Sequence, residues 1–176
     1  MKFHFGHKWM DKPYKKRNYN LKNNRMDALK LSQDVRKILH EQGWKPNTNH
    51  TISDVKEIWK QKKYSVSESG IIFMKNFSGF KLIHDSYSGQ SKDYSIFDGI
   101  KATQGIHSSW VTDDYQQRIN KNLIPIGLGY SEHLTYFIAE DYSIYGGFDG
   151  DFSLIGDSIN SFFENILFHK NFQKID

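Results

Sequence analysis

His84-Asp85 places an imidazole beside a carboxylate, a pair able to ligate a divalent cation and activate water for phosphoester hydrolysis. Other stretches offer comparable starts. His4-Phe5-Gly6-His7 spaces two imidazoles as half of a metal site. Asp149-Gly150-Asp151 sets two carboxylates around a glycine, as the opening of a calcium loop does. Gly127-Leu128-Gly129 carries the Gly-x-Gly of a phosphate-cradling loop, and Ser108-Ser109 supplies adjacent hydroxyls. Each lacks its complement. His84-Asp85 ends a predicted strand, and His40, His50, His107, His133 and His169 show no ligand spacing. No third ligand completes the histidine pair near the N-terminus, as a zinc site requires. A calcium loop needs further oxygens and a distal glutamate at fixed spacing. A phosphate loop should open a helix whose N-terminus holds the anion, and here a strand follows. The serines have no base beside them in sequence, and nothing requires a triad. The residues therefore assign no catalytic group, no cofactor and no metal.

Composition narrows the setting. At 176 residues, 15% of them aromatic, the chain fits one domain with a core rich in Phe, Tyr and Trp, roughly 70% of its unfolded surface being buried. Cysteine is absent, which excludes disulfides and thiolate chemistry and suits a reducing cytoplasm. The first residues lack the apolar core of a secretory signal, and no apolar run approaches the roughly 20 residues that span a bilayer. The expectation is a soluble cytoplasmic protein that does not enter membranes. The net charge of +4 hides an asymmetry: residues 1–25 carry eight Lys/Arg against one acid, whereas residues 131–169 hold seven acids and no Lys or Arg. A basic arm, residues 1–24, thus precedes a mildly acidic domain, residues 25–176. The run Lys12-Pro13-Tyr14-Lys15-Lys16-Arg17 interleaves cations with aromatics, a composition that suits a solvated tail, single-stranded nucleic acid or an acidic partner.

The elements follow from periodicity. Ala28, Leu31, Val35, Ile38 and Leu39 predict a helix over Met26–Gln42, capped by Asn24 and stopped by Gly43. Trp44 and Pro46 pin its exit. Ser53 is the predicted cap of a second helix carrying Val55, Ile58 and Trp59, and Ser67 of a third carrying Ile71, Met74 and Phe77. Strands are predicted over Phe80–His84 and Tyr94–Phe97. Residues 98–110 are illegible, and Val111, Tyr115 and Ile119 suggest a short helix. A strand stopping at Pro125 and Gly127 comes next, then His133–Ala139, a turn at Glu140-Asp141, and Ser143–Tyr145. Asp157 is the predicted cap of a closing helix through Phe168, with Ile159, Phe162, Phe163, Ile166 and Leu167 inward. Segregation of this kind predicts an α+β fold, a mostly antiparallel central sheet flanked by helices.

Gly43-Trp44-x-Pro46, Phe77-Ser78-Gly79-Phe80, Phe97-Asp98, Leu123-x-Pro125-Ile126-Gly127, Leu134 and Ile144-Tyr145-Gly146 occur in that order. Together they resemble the SUKH superfamily, most closely its third family, over roughly residues 28–168. The chain departs from the family in having Ser78-Gly79 where two glycines are usual, and in its loop from Gly99 to Trp110. The resemblance implies a non-catalytic immunity protein from a bacterial polymorphic-toxin locus. Such a protein binds and blocks a cognate toxin domain, often a nuclease or nucleic-acid deaminase. Toxins that act on nucleic acid present cationic clefts, because phosphate neutralisation drives substrate binding, so an acidic surface can compete. Glu140 and Asp141 at a hairpin turn, and Asp149 and Asp151 in a glycine-rich loop, are the candidate partner-binding residues; ordinary turn chemistry also favours Asp and Gly at such places. The alternatives are a nucleic-acid-binding module that uses the basic arm and a small hydrolase built on His84-Asp85.

Overall fold

Hydroxyl caps set where several helices begin. A computed structural model describes residues 29–45 and 50–176. Helix α1 (Gln33–Glu41) starts where Ser32 takes an extended conformation and accepts from the Val35 N–H, the usual N-cap arrangement. Asn160 accepts the Ser32 N–H at 2.7 Å. The predicted start at Met26 with its cap Asn24 lies outside the described residues, as do the basic arm and Pro46. Among those described, the helix begins at Gln33, and Leu31 is buried ahead of it. Helix α2 (Ser53–Gln61) corrects a second expectation: Ile52 occupies the cap position, and the Ser53 hydroxyl donates to Asp54 instead. Ser67 does cap α3 (Glu68–Phe77) by accepting from Gly70. Trp44 holds the exit of α1 to the core, stacking on Phe77 and donating its indole N–H to the Asn76 carbonyl at 2.9 Å.

Seven strands among the described residues form one antiparallel sheet, neighbours in space following chain order. They are β1 (Lys81–Asp85), β2 (Lys92–Ile96), β3 (Leu123–Gly129), β4 (Leu134–Ala139), β5 (Ile144–Phe148), β6 (Asp151–Gly156) and β7 (Gln173–Lys174). Strand β3 runs on past Pro125 and Gly127, where the sequence suggests a stop. Its pairing with β4 shifts between those two residues; such a bulge is where a central strand tolerates a residue without an N–H. The Pro125 carbonyl accepts the Trp59 indole N–H at 3.0 Å. Strands β6 and β7 are absent from the sequence reading, and the supposed glycine-rich loop is a two-residue turn, Asp149-Gly150, between β5 and β6.

The illegible segment is helical. Asp98 caps α4 (Gly99–Gln104) through the Lys101 N–H. Then α5 (Ser108–Trp110), α6 (Val111–Tyr115) and α7 (Gln116–Ile119) run end to end, α6 being a wide π turn. Helix α8 (Ile159–Glu164) is capped by Ser158, not Asp157, in a reciprocal box with Ser161. The Asp157 carboxylate accepts the Ser161 hydroxyl at 2.7 Å. A second π turn, α9 (Asn165–His169), completes the predicted closing helix.

Strand alternation feeds two cores. On one face Tyr136 meets Phe162 at 5.0 Å, and Phe73, Phe77, Phe97 and Phe163 complete a fully buried aromatic cluster. On the other face Phe137, Tyr145 and Phe152 pack under Tyr115 of α6, whose ring stacks on Phe152 at 4.4 Å. Burial of each such side chain contributes about 1.5–3 kcal/mol, so both faces are anchored, and helices lie on each.

Candidate partner-binding site

One row of the second face is left partly open. Leu128, Thr135, Gly147 and Phe152 are register neighbours across β3, β4, β5 and β6. Tyr115 covers the Phe152 end. A β-carbon at Gly147 would lie 2.5 Å from the Tyr115 ring, so glycine is what lets α6 settle on the sheet. The Tyr115 hydroxyl donates to the Asp149 carbonyl at 2.5 Å. Burial pushes that hydroxyl up to about 12, which keeps it a neutral donor.

Beyond Tyr115 lies a hollow of about 490 Å³. Leu128, Thr135 and Gly147 of the sheet line it, with Ile106 and His107 of the α4–α5 connection, Trp110, and Phe148 and Asp149 where β5 ends. Trp110 is 46% exposed and Phe148 51%. Large apolar side chains flanking a polar rim are the anatomy of an interaction surface. The Asp149 carboxylate has no hydrogen bond or ion pair among the described residues.

The β3–β4 turn closes the hollow's far side. Tyr130, Ser131 and Glu132 take φ of 50°, 55° and 71° in succession, a conformation that costs non-glycine residues roughly 1–2 kcal/mol each. Side chains hold it there. Ser131 donates to Asp93 at 2.7 Å, and Lys101 of α4 pairs with Glu132 at 2.5 Å. The Lys101 bond holds the Glu132 carboxyl below its ordinary range and lifts the Lys101 ammonium above its own. Strain maintained by surrounding contacts gathers at functional surfaces.

The four candidate acids do not converge. Glu140 and Asp141 sit in the β4–β5 turn, Asp149 and Asp151 at the opposite end of β5, about 16 Å away over five strand residues. Glu140 accepts from Asn122 at 2.7 Å. Asp141 accepts from Lys121 at 2.7 Å and from the Ser143 hydroxyl at 2.5 Å. Burial tends to raise the Asp141 carboxyl, but these bonds outweigh it and hold it below the usual carboxylate range. Asp151 pairs with Lys174 at 3.1 Å, both side chains being largely exposed. Trp110, Phe148 and Glu132 are absent from the sequence-derived set, since sequence does not distinguish an exposed aromatic from a core one.

The remaining candidate chemistry disperses. His84 is buried, whereas Asp85 turns outward to Lys92 at 2.6 Å. A carbonyl only accepts, so His84 Nδ1 donates to the Asp85 carbonyl at 2.8 Å. Nε2 then accepts from Ser95, which accepts from Tyr136. Burial lowers the His84 pKa, and the chain of bonds suits the neutral ring. Among the described residues no group of three or more His, Asp or Glu is placed to hold a metal ion, and no helix is long and apolar enough to cross a membrane.

The described residues thus form an antiparallel sheet helical on both faces, with a hollow beside Trp110 and ionisable groups dispersed over the surface. The family model for SUKH-3 immunity proteins matches residues 31–168, and the chain belongs to that family. Comparison with curated proteins and with solved structures gives no match.

Proposed function

We propose that this protein binds and neutralises a cognate bacterial toxin domain in the cytoplasm, by surface complementarity and without catalysis. Membership of the SUKH-3 immunity family over residues 31–168 carries the reading. The hollow beside Trp110, with exposed Phe148 near its edge, is the central contact, because desolvated aromatic anchors dominate binding energy. Asp149 contributes a carboxylate at its lip, with Asp151, Glu140 and Asp141 as outlying acids. The seven acids and absent Lys/Arg across residues 131–169 favour a toxin with a cationic cleft, a nuclease or nucleic-acid deaminase, and speed encounter electrostatically.

Co-expression with the toxin encoded beside the gene tests this reading. Cells carrying both are expected to survive, and the two proteins to co-purify. Continued killing with both proteins folded overturns it.

A further inference from the structure

We propose that the hollow receives an arginine side chain of the partner polypeptide, its guanidinium lying against the Trp110 ring and donating to Asp149. The proposal rests on the immunity reading and names the chemistry of the contact.

Three features of the hollow select this occupant. The first is aromatic: Trp110, 46% exposed at the lip, offers ring surface to a cation. Guanidinium is planar and weakly hydrated, so it stacks on rings while its edge still donates; ammonium is compact and strongly hydrated. The second is charge. Lys101 is held by Glu132 at 2.5 Å, which leaves Asp149 as the lining carboxylate without a partner among the described residues. An anionic ligand such as phosphate would meet that carboxylate and be repelled. The third is preorganisation. The Asp149 backbone is fixed by the Tyr115 hydroxyl, and the opposite rim by the strained Tyr130–Glu132 turn, so little ordering remains to oppose binding. The volume of about 490 Å³ lies within the range of roughly 300–1,000 Å³ typical of ligand sites and accommodates flanking main chain as well.

The test is a titration of the ¹⁵N-labelled full-length protein with acetyl-Gly-Arg-Gly-amide and its lysine and citrulline counterparts, followed by NMR at the Trp110 indole N–H. A W110F variant assigns that resonance. The arginine peptide is expected to shift the Trp110 indole and the Asp149 amide saturably. The lysine peptide should bind several-fold more weakly, and citrulline, an uncharged isostere, should give no saturable shift. Asp149→Asn should weaken arginine binding about tenfold, the loss of one charge-assisted contact. Equal response to citrulline, no saturable response, or indifference to Asp149→Asn overturns the proposal. So does preferential binding of inorganic phosphate at the same resonances. If R17Q/R25Q moves the Trp110 indole of the unliganded chain, an arginine of its own N-terminal segment fills the hollow and a partner's arginine is overturned as occupant. Toxin protection in co-expression is read separately: its failure counts against the immunity reading, and failure of the peptide titration counts against the arginine contact alone.

Discussion

The two ends of strand β5 carry the same kinds of residue put to opposite use. At the β4–β5 turn every acid is engaged: Glu140 by Asn122, and Asp141 by Lys121 and Ser143, around a polar recess of about 340 Å³. At the β5–β6 end the Asp149 side chain stands without a partner among the described residues, and Phe148 and Trp110 expose apolar surface beside it. Local pairing satisfies the first end, and little is gained by bringing a second protein there. The second end keeps unspent interaction capacity. Counting acids would rank the two ends equally; counting unsatisfied groups and exposed rings does not.

The sharpest way to break this contrast is to remove the anchors. Trp110→Ala and Phe148→Ala are each expected to weaken toxin binding by about 2 kcal/mol or more, roughly 30-fold, as truncated hot spots do. Stability should change little, since both are about half exposed. Calorimetric titration against the toxin, beside thermal melts, separates the two effects. Next in size is Gly147→Ala. Its β-carbon would collide with a Tyr115 ring already stacked on Phe152, and overpacking of this kind costs about 1–3 kcal/mol. Denaturant midpoints measure that loss. The resulting shift of Tyr115 should also reduce affinity, whereas a wild-type midpoint would show that the ring yields freely.

Much of the frame was legible in the sequence. Ser67 capping α3, the apolar stripe of α8 and the β4–β5 hairpin all announce themselves through local periodicity and turn chemistry. What escaped depends on tertiary context. Pro125 reads as a strand stop because its missing N–H is visible in sequence and the bulge that absorbs it is not. Strand β6 hides behind Asp149-Gly150-Asp151, which reads as loop until Phe152 is seen stacked under Tyr115. Residues 98–110 carry no helical stripe, since α4 and α5 are too short to show one. The acids were nameable as surface groups, but which were already paired was not: Lys121 lies 20 residues from Asp141, and Lys174 lies 23 from Asp151. Nor does sequence say that Phe148 faces solvent while Phe137 is buried.

Acidification should separate the two ends. His84 lies under the Tyr130 ring at 5.0 Å, on the sheet face that carries Tyr136, and burial lowers its pKa, with Asp93, Asp85 and Lys170 as the surrounding charges. A histidine held neutral in the fold gives stability that is complete above its unfolded value, about 6.5, and is lost as pH falls from there through the depressed folded value. Between pH 7.5 and 6 the expected loss is up to about 0.8 kcal/mol. Asp141, held below the ordinary carboxylate range, keeps its contribution until pH drops under about 4. Amide exchange should therefore speed up first around Tyr130–Glu132, with the Glu140–Ser143 turn unaffected. Replacing His84 by Gln should flatten the slope. Simultaneous loosening of both ends would erase the distinction.

The smallest expected effect is the most discriminating. Lys121 and Asp141 are 39% and 54% exposed at their side chains, so water screens the pair, and a double-mutant cycle with Lys121→Ala and Asp141→Asn should give a coupling below about 1 kcal/mol in stability. In toxin affinity the same substitutions should register little beyond a slightly slower encounter, because an acid that already has its cation gains little from a second and would first have to release the one it holds. Asp149→Asn, by contrast, should weaken toxin binding without touching stability. Both are acid-to-amide changes in turns of one hairpin system and differ by the same single charge. Equal losses of affinity would mean that the toxin senses only the overall acidity of this half of the molecule. Unequal losses, with Asp149 the larger, would mean that it reads the one carboxylate at the hollow that has no partner among the described residues.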